Sequence, residues 1–475
     1  MIQSQALSSV QQRIAQHYLG TLRRANTAIQ RGYGSRVHWY SQIEQDWEQI
    51  RQWQSWAASG ESHELERRRM CVDFTLAGLE VLRVRQTPAE RLAWLQKALD
   101  QFPQDENSAA SRTLLNELGN TYFYLSDNPA AKATAEKLLA LAEAANDPFD
   151  IGRAWYVLGQ IALNIGALEE GEKAMQTAAD LLEQVGAEAE LGRALQGVGR
   201  AALWTGQLER AKALFERYLK IVEASSREAE LAPAYITMNN LLLEQRRFEE
   251  AKQYAERAIM VCHKTGFQRM LGSALLCVGV AEAELGELDA ASAHYEEGLV
   301  SSKSLRATSS VIDLLRYLAD ARMRQGRYAE ARGHLEEGLA LSRELHILYY
   351  LCEITAALTR WHLDQGQVEA ARPFLREAIE FAQELKSDNF LCTALLPAVM
   401  LWRQDGQPEQ AATWAGVLQK YPDYVLPRLF DPLCAQLEQE LGAERYQRAV
   451  EHGKTSALKE TVEHILTLLG GSTPS

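Results

Sequence analysis

The sequence predicts an all-α fold: a right-handed superhelix (an α-solenoid) of about nine helical hairpins, with helical caps at both ends. Three observations predict it. A short turn signal, seen as GQLERA at Gly206 and GRYAEA at Gly326, recurs on a 40-residue grid at Gly166, Gly206, Gly286, Gly326, Gly366 and Gly406. Columns of small residues keep a constant offset from that signal. The stretches between carry the 3.6-residue apolar period of a helix, as in Ala213, Leu214, Tyr218, Leu219, Ile221 and Val222.

Two grid points lack glycine but keep the register: Arg246 opens RRFEEA and Ser126 opens SDNPAA, so eight units share the period without insertion or deletion. Five residues after each turn stand Ala131, Gly171, Ala211, Ala251, Ala291, Ala331, Ala371 and Ala411, all small. Seven residues before it stand Gly119, Gly159, Gly199, Asn239, Gly279, Ala319, Thr359 and Val399, small in the early units and drifting later. Small side chains at fixed offsets on two helices predict a close crossing with room for little more than a methyl group. A hairpin alone cannot bury its apolar face, so stacking neighbours must supply the rest.

Taken in order, residues 1–69 read as an N-terminal cap of two helices, at 4–30 and 36–59. In the second, Tyr40, Ile43, Trp47, Ile50 and Ala57 recur at helical spacing, widened by Trp53 and Trp56. Residues 70–111 read as a degenerate repeat, because Gln86 falls on the grid and Thr87 can cap a helix whose first position is Pro88. Residues 112–414 hold the eight repeats, the first helix beginning near 112. Beyond 415, Tyr421-Pro422-Asp423 and Pro427 break the grid, and two or three helices precede a fraying GGSTPS.

The pattern resembles the tetratricopeptide repeat. Trp155, Leu158-Gly159, Ala162, Gly166 and the small residue at 171 carry that family's first-helix and turn signature. The departure is length: 40 residues rather than the family's usual 34 or so, which implies about three extra residues per helix. The ends resemble a second family, the large bacterial STAND-class and LuxR-type ATPase regulators. HYLGTLRRANTAIQ with WYSQIEQDWEQIRQWQSWAAS is similar to the segment after their winged helix, and LGAERYQRAVEHGKTSALKETVEHIL to the closing helices of their repeat-built sensor arm. Gln52 to Gln54 do not restore that family's usual asparagine. The resemblance implies a helical arm that senses an inducer or partner, here without the ATPase.

Composition narrows the partners. Fifty basic residues against 63 acidic ones leave a net charge of −13, which repels a phosphate backbone and argues against nucleic acid as the main partner. Thirty glycines and 12 prolines are too few for a collagen-like or disordered chain. Mean hydropathy is −0.28 and no run approaches the roughly 18 apolar residues of a membrane span, so no membrane role is expected. The opening MIQSQALSSVQQRIAQ lacks a basic stretch followed by an apolar core, so no secretory leader is expected either. The six cysteines (Cys71, Cys262, Cys277, Cys352, Cys392, Cys434) show no C-x-x-C pair and read as buried, reduced thiols, which fits a cytoplasmic chain.

No catalytic, metal or cofactor motif stands out. His63-Glu64 and His334-Leu335-Glu336-Glu337 lack the second histidine of a zinc helix. Cys262 and His263 are adjacent, about 100° apart on a helix, which misaligns a nucleophile and its base. Gly453-Lys454-Thr455 evokes a phosphate loop, but Arg448 stands where a glycine is needed, and a helix–helix turn ending at Gly453 is expected instead. Glu66-Arg67-Arg68-Arg69 reads as a solvated helix face.

In tetratricopeptide arrays the first helices line an inner groove. Projected here, that resemblance selects Asn116, Asn120, Arg153, Tyr156, Gln160, Arg193, Gln196 and Arg200, with Tyr124 and Trp204 nearby. This amide- and guanidinium-rich strip suits carboxylates and an extended peptide backbone; the alternative is a merely solvated face. It partly resembles the two-carboxylate clamp of chaperone-binding repeats, but Asn116 and Gly197 replace two of that clamp's basic residues. Ile236, Leu276 and Val280 form an apolar stretch that reads either as an anchor pocket or, preferably, as packing. The expected function is a non-enzymatic scaffold or sensor that binds a protein or peptide and regulates a separately encoded effector, such as a protease, nuclease or ATPase. The alternative is a transcription-regulator-type arm that binds a small inducer or signalling peptide.

Overall fold

The computed structural model describes residues 2–31, 36–59, 65–102, 107–125, 127–225, 228–305, 307–385 and 387–470. Ser126 and residues 471–475 lie outside them, as does the Tyr40 side chain. Among the described residues the structure is helical, with no strand.

Five helices come first: α1 (Ile2–Arg31), α2 (Arg36–Ala58), α3 (Leu65–Ala77), α4 (Leu79–Arg85) and α5 (Pro88–Leu99). Leu22, Ile29, Ile43, Ile50, Phe74 and Leu82 form their common core, and Trp47 stacks on Trp94 with ring centres 6.1 Å apart. The break between α3 and α4 falls at Gly78, where an added Cβ would lie 2.7 Å from Leu22 Cδ2. Thr87 caps α5 by accepting from the Glu90 amide while the Glu90 carboxylate accepts from the Thr87 amide.

Hairpins follow: α6 (Ala109–Tyr124) with α7 (Asn128–Ala144), α8 (Pro148–Asn164) with α9 (Leu168–Gln184), α10 (Glu188–Trp204) with α11 (Leu208–Ala224), and α12 (Leu231–Glu244) with α13 (Phe248–Thr265). The first begins at Ala109, capped by Ser108, three residues earlier than expected. Helices α8 to α11 have 17 residues each and three-residue connectors, which accounts for the 40-residue period. Ahead of α12 the grid places a 3₁₀ turn at Glu228–Glu230. Pro233 has no N–H to close an α-helical bond there.

The repeat connectors that carry a left-handed residue among the described residues close in the same way. At the α8–α9 turn, Gly166 takes φ 81°, its amide donates to Leu163 O, and the Ala167 amide donates to Ala162 O. These bonds satisfy the last carbonyls of α8. The left-handed residue recurs at Gly206, Arg246, Gly286, Gly326, Gly366 and Gly406. A second column runs 20 residues out of phase, through Asn146, Gly186, Gly266 and His346. Only two of those four are glycine, so the sequence signal was faint. Both turns of the repeat therefore share one backbone design.

The small-residue columns are where the helices of a hairpin touch. Every member from Ala131 to Ala411 is buried. An added Cβ on Gly199 would lie 2.3 Å from Phe215 Cε1, and one on Gly171 would lie 3.0 Å from the Leu163 backbone nitrogen. Asn239 is accommodated differently: its Nδ2 donates 2.9 Å to the Ala251 carbonyl, tying one small column to the other.

Two compact units divide the chain, residues 1–281 and 282–475. The division falls within α14 (Gln268–Leu285), and the second unit continues with α15 (Leu288–Ser304), α16 (Thr308–Arg324), α17 (Tyr328–Glu344), α18 (Leu348–Asp364), α19 (Val368–Leu385), α20 (Asp388–Gln404) and α21 (Pro408–Leu418). After a 3₁₀ turn at Pro422–Tyr424 come α22 (Pro427–Leu441), α23 (Ala443–Thr455) and α24 (Leu458–Gly470). Leu395, Trp402, Trp414, Leu437, Val462 and Ile465 pack together there.

Two local expectations are corrected. Gly453 does not end a turn: it lies buried in α23, and an added Cβ would fall 1.8 Å from the Thr413 carbonyl oxygen of α21. Its lack of a side chain is what lets α23 and α21 cross at that distance. Arg67 and Arg68 are not simply solvated. The Arg67 guanidinium lies 4.5 Å from the Trp56 ring centre, and Arg68 donates to Gln101.

Candidate ligand groove

The first helices α6, α8 and α10 present the projected strip to a cavity of about 300 Å³ within the first unit. Asn116, Asn120, Tyr124, Arg153, Tyr156, Gln160, Arg193 and Gln196 line it. Arg200 and Trp204 do not; they sit beside it, with the Arg200 guanidinium 5.3 Å from the centre of the exposed Trp204 ring. The cavity also draws on residues off the grid: Glu80, Arg83 and Arg91 from α4 and α5, and Glu117, Tyr218 and Glu230.

Its floor is an ion-pair network. Arg83 donates twice to Glu117, Nη2 to Oε1 at 2.6 Å and Nε to Oε2 at 3.2 Å, and once to Glu80 at 3.0 Å. Asn116 Nδ2 donates 3.2 Å to the same carboxylate. Arg153 Nη2 stands 4.0 Å from Glu117, while its Nη1 donates 2.9 Å to Asp150. Burial by itself would raise the Glu117 pKa; the charge and hydrogen bonds of Arg83, aided by Arg153 and Arg91, outweigh it and hold the carboxyl at about 2.

The walls are amides and phenols. Asn120 Nδ2 donates 2.8 Å to the Asn116 carbonyl one turn back, and Gln196 Nε2 donates 2.6 Å to Thr237 Oγ1 of α12. Gln160 Nε2 donates 2.9 Å to the Tyr156 hydroxyl. Burial, then the neighbouring Tyr124, pushes the Tyr156 phenol up to about 12, so it stays a neutral hydroxyl at physiological pH. Arg193 is paired with Glu190 at 2.8 Å.

Two groups are left with unused bonding capacity. Gln160 is 8% exposed, and its Oε1 has no hydrogen-bond partner among the described residues. Arg200 Nε has none either, and burial draws the Arg200 pKa below the ordinary guanidinium value. They occupy the same column of successive first helices. An acceptor and a cation left over beside a polar cavity can take up a ligand's N–H and its carboxylate.

Most of the charged floor escaped the sequence reading. Arg83 lies on the helix broken at Gly78, ahead of the eight regular repeats. Arg91 carried a signal that could have been read: it stands five residues after Gln86, in the column that holds alanine or glycine in the other units. There its Nε reaches Thr121 Oγ1 at 3.1 Å. Ile236, Leu276 and Val280 are half-buried. None of the six cysteines is in a disulfide, and five are buried; burial raises the thiols of Cys71 to about 11 and of Cys262 and Cys392 to about 12. Among the described residues no three histidine, cysteine or acidic side chains cluster as a metal site, and no helix is long and apolar enough to cross a membrane.

Comparison with known proteins agrees with this architecture. Tetratricopeptide-repeat family profiles match residues 152–181 and 310–384. No curated protein sequence matches the chain. A solved Rap protein complexed with Competence and Sporulation Factor is similar over 80% of this chain and 98% of its own, at 13% identity and a TM-score of 0.55. A Signal Transduction ATPase with Numerous Domains (STAND) protein with a tetratricopeptide repeat sensor, from Pyrococcus horikoshii, is similar over 78% of this chain and 54% of its own, at 18% identity and a TM-score of 0.50. At these identities the two structures speak to fold alone, an array of helical hairpins, and residues 152–181 and 310–384 match tetratricopeptide repeats.

Proposed function

We propose that the chain is a non-enzymatic scaffold or sensor whose first-unit cavity binds a protein or peptide segment, and that occupancy regulates a separately encoded effector or ATPase. The observation that carries this reading is the pair of unsatisfied groups, Gln160 Oε1 lining the cavity and Arg200 Nε near it, above a floor whose ions are paired. A buried polar group without a partner costs roughly 1–3 kcal/mol, which a ligand that completes its bonding recovers. An extended peptide offers both requirements, backbone N–H groups and a carboxylate. The Rap protein, solved in complex with Competence and Sporulation Factor, supports a partner-binding use of such a fold. The resemblance of both ends to STAND-class regulators supports the regulatory half, and six cysteines outside any disulfide support a reducing, cytoplasmic setting in a bacterial cell.

Affinity purification of the tagged chain from its native host, followed by identification of co-purifying proteins, tests the proposal. A partner retained by the native chain and lost from Arg193→Glu and Arg200→Ala variants of unchanged melting temperature supports it. A partner retained by both variants overturns the site, and turnover of a substrate by the purified chain overturns the non-enzymatic reading. The cavity volume, at the lower end of small-molecule sites, favours a second reading, a transcription-regulator-type arm that binds a small inducer or signalling peptide. Mass spectrometry of material released from the natively purified chain distinguishes the two.

A further inference from the structure

The second unit carries a different recognition feature, independent of the cavity above. Helix α22 follows the last hairpin and starts with Pro427-Arg428. The Arg428 guanidinium reaches back to two first helices: Nε donates 3.0 Å to Glu284 Oε1 of α14, and Nη2 donates 3.0 Å to Asp320 Oδ2 of α16. These partners lie 144 and 108 residues away in sequence. The other Asp320 oxygen accepts from Arg360 of α18 at 3.4 Å. Asp320 and Arg360 belong to the same inner-face column that holds Gln160 and Arg200 in the first unit. A segment from outside the repeats therefore occupies the face on which such arrays hold ligands, and it does so with one planar cation shared between two carboxylates of neighbouring repeats.

The remainder of α22 is held by other means. Phe430, Leu433, Leu437 and Leu441 are buried in the terminal core, whereas Leu426, just before the helix, is 49% exposed. The Arg428 side chain is held by charge-assisted hydrogen bonds and the helix by apolar burial from Phe430 onwards, so the guanidinium can be displaced while the helix stays.

We infer that the Glu284–Asp320 pair is a guanidinium-binding site, filled in cis by Arg428, and that its partner in trans is an arginine-bearing protein segment of the same Pro-Arg type that displaces the Arg428 guanidinium. The native segment serves as the template for that partner. Its sequence, YPDYVLPRLFDPL over residues 421–433, provides the probe.

The experiment uses the full chain and this synthetic 13-residue peptide, labelled for fluorescence anisotropy. The Arg428→Ala chain is expected to bind the peptide about tenfold or more tightly than the native chain, since the cis cation no longer competes. Arg428→Lys keeps the cis charge and should remain largely blocked. A peptide with alanine in place of its arginine should bind neither chain, and adding Glu284→Gln and Asp320→Asn to Arg428→Ala should remove binding. Equal affinity for native and Arg428→Ala chains, or indifference to the peptide's arginine, overturns the inference. Should Arg428→Ala lose its helical circular dichroism, the Arg428 guanidinium NMR signal of the native chain decides. Excess peptide must move the Arg428 Nε–H signal to that of an unbound guanidinium; an unchanged signal overturns the inference.

Discussion

Arg83 and Glu117 meet across 34 residues through two hydrogen bonds, joining the short helix α4 to the floor of the first-unit cavity. Neither residue lies in a repeat column projected as functional, yet their pair sets the charge of the site. Glu117 holds Arg83 in place, and Arg83 keeps Glu117 ionised.

Replacing Glu117 by glutamine leaves Arg83 and Arg153 facing a neutral amide. Glu117 is almost fully buried while Arg83 is about one-third exposed, so the expected loss at pH 7 is about 2 kcal/mol, below the range for a wholly buried pair. Because the folded carboxyl titrates near 2, below the ordinary value of about 4.3, its stabilisation is present above the unfolded pKa and fades as pH falls towards 2. Urea melts at pH 7 and pH 3 should show the difference between native and Glu117→Gln chains shrinking in acid.

Asp313 runs the opposite way. Burial lifts its pKa to about 6, against the pull of Arg316 and the Tyr350 hydroxyl that donates to it at 2.7 Å. A carboxyl with a raised folded pKa resists ionisation, so its contribution to stability declines as pH rises from about 4 through 6. Asp313→Asn keeps an acceptor for Tyr350 without the charge. The variant should gain on the order of 1 kcal/mol over the native chain at pH 8 and nothing at pH 4, read from thermal melts at both values.

The close crossings can be tested by single methyl groups. Gly199→Ala places a Cβ against the Phe215 ring and should cost on the order of 1–3 kcal/mol, as should Ala211→Leu and Ala291→Leu in the facing column. Gly453→Ala meets the Thr413 carbonyl of the backbone, which yields less than a side chain, and should cost the most of the four. Gly333→Ala, in helix α17 with open space around it, should instead stabilise by roughly 0.5–1 kcal/mol. Equal denaturation midpoints for Gly199→Ala and Gly333→Ala would contradict the packing described.

Arg246 and His346 hold left-handed backbone angles of 56° and 51° at connectors where glycine serves elsewhere. Arg246→Gly and His346→Gly should each raise stability by about 0.5–1 kcal/mol, the relief of Cβ strain exceeding the added freedom of the unfolded chain. Asn146→Gly should gain less, because asparagine tolerates that conformation. Chemical denaturation of the three single variants ranks them.

What the sequence determined by itself is the hairpin ruler: the 40-residue period, the small residues at each crossing, the left-handed turns, and the first-helix strip from Asn116 to Gln196 that meets one cavity. These are legible because helix period, side-chain volume and turn conformation are local properties, and repetition multiplies each weak signal. Three things were settled only by tertiary structure: the pairing of Arg83 with Glu117, the close approach of Gly453 to Thr413, and the return of Arg428 to Glu284 and Asp320. Arg83 lies ahead of the eight regular repeats and Gly453 and Arg428 beyond them, so the hairpin pattern does not mark these contacts and the spacing is decided by how the surrounding helices pack.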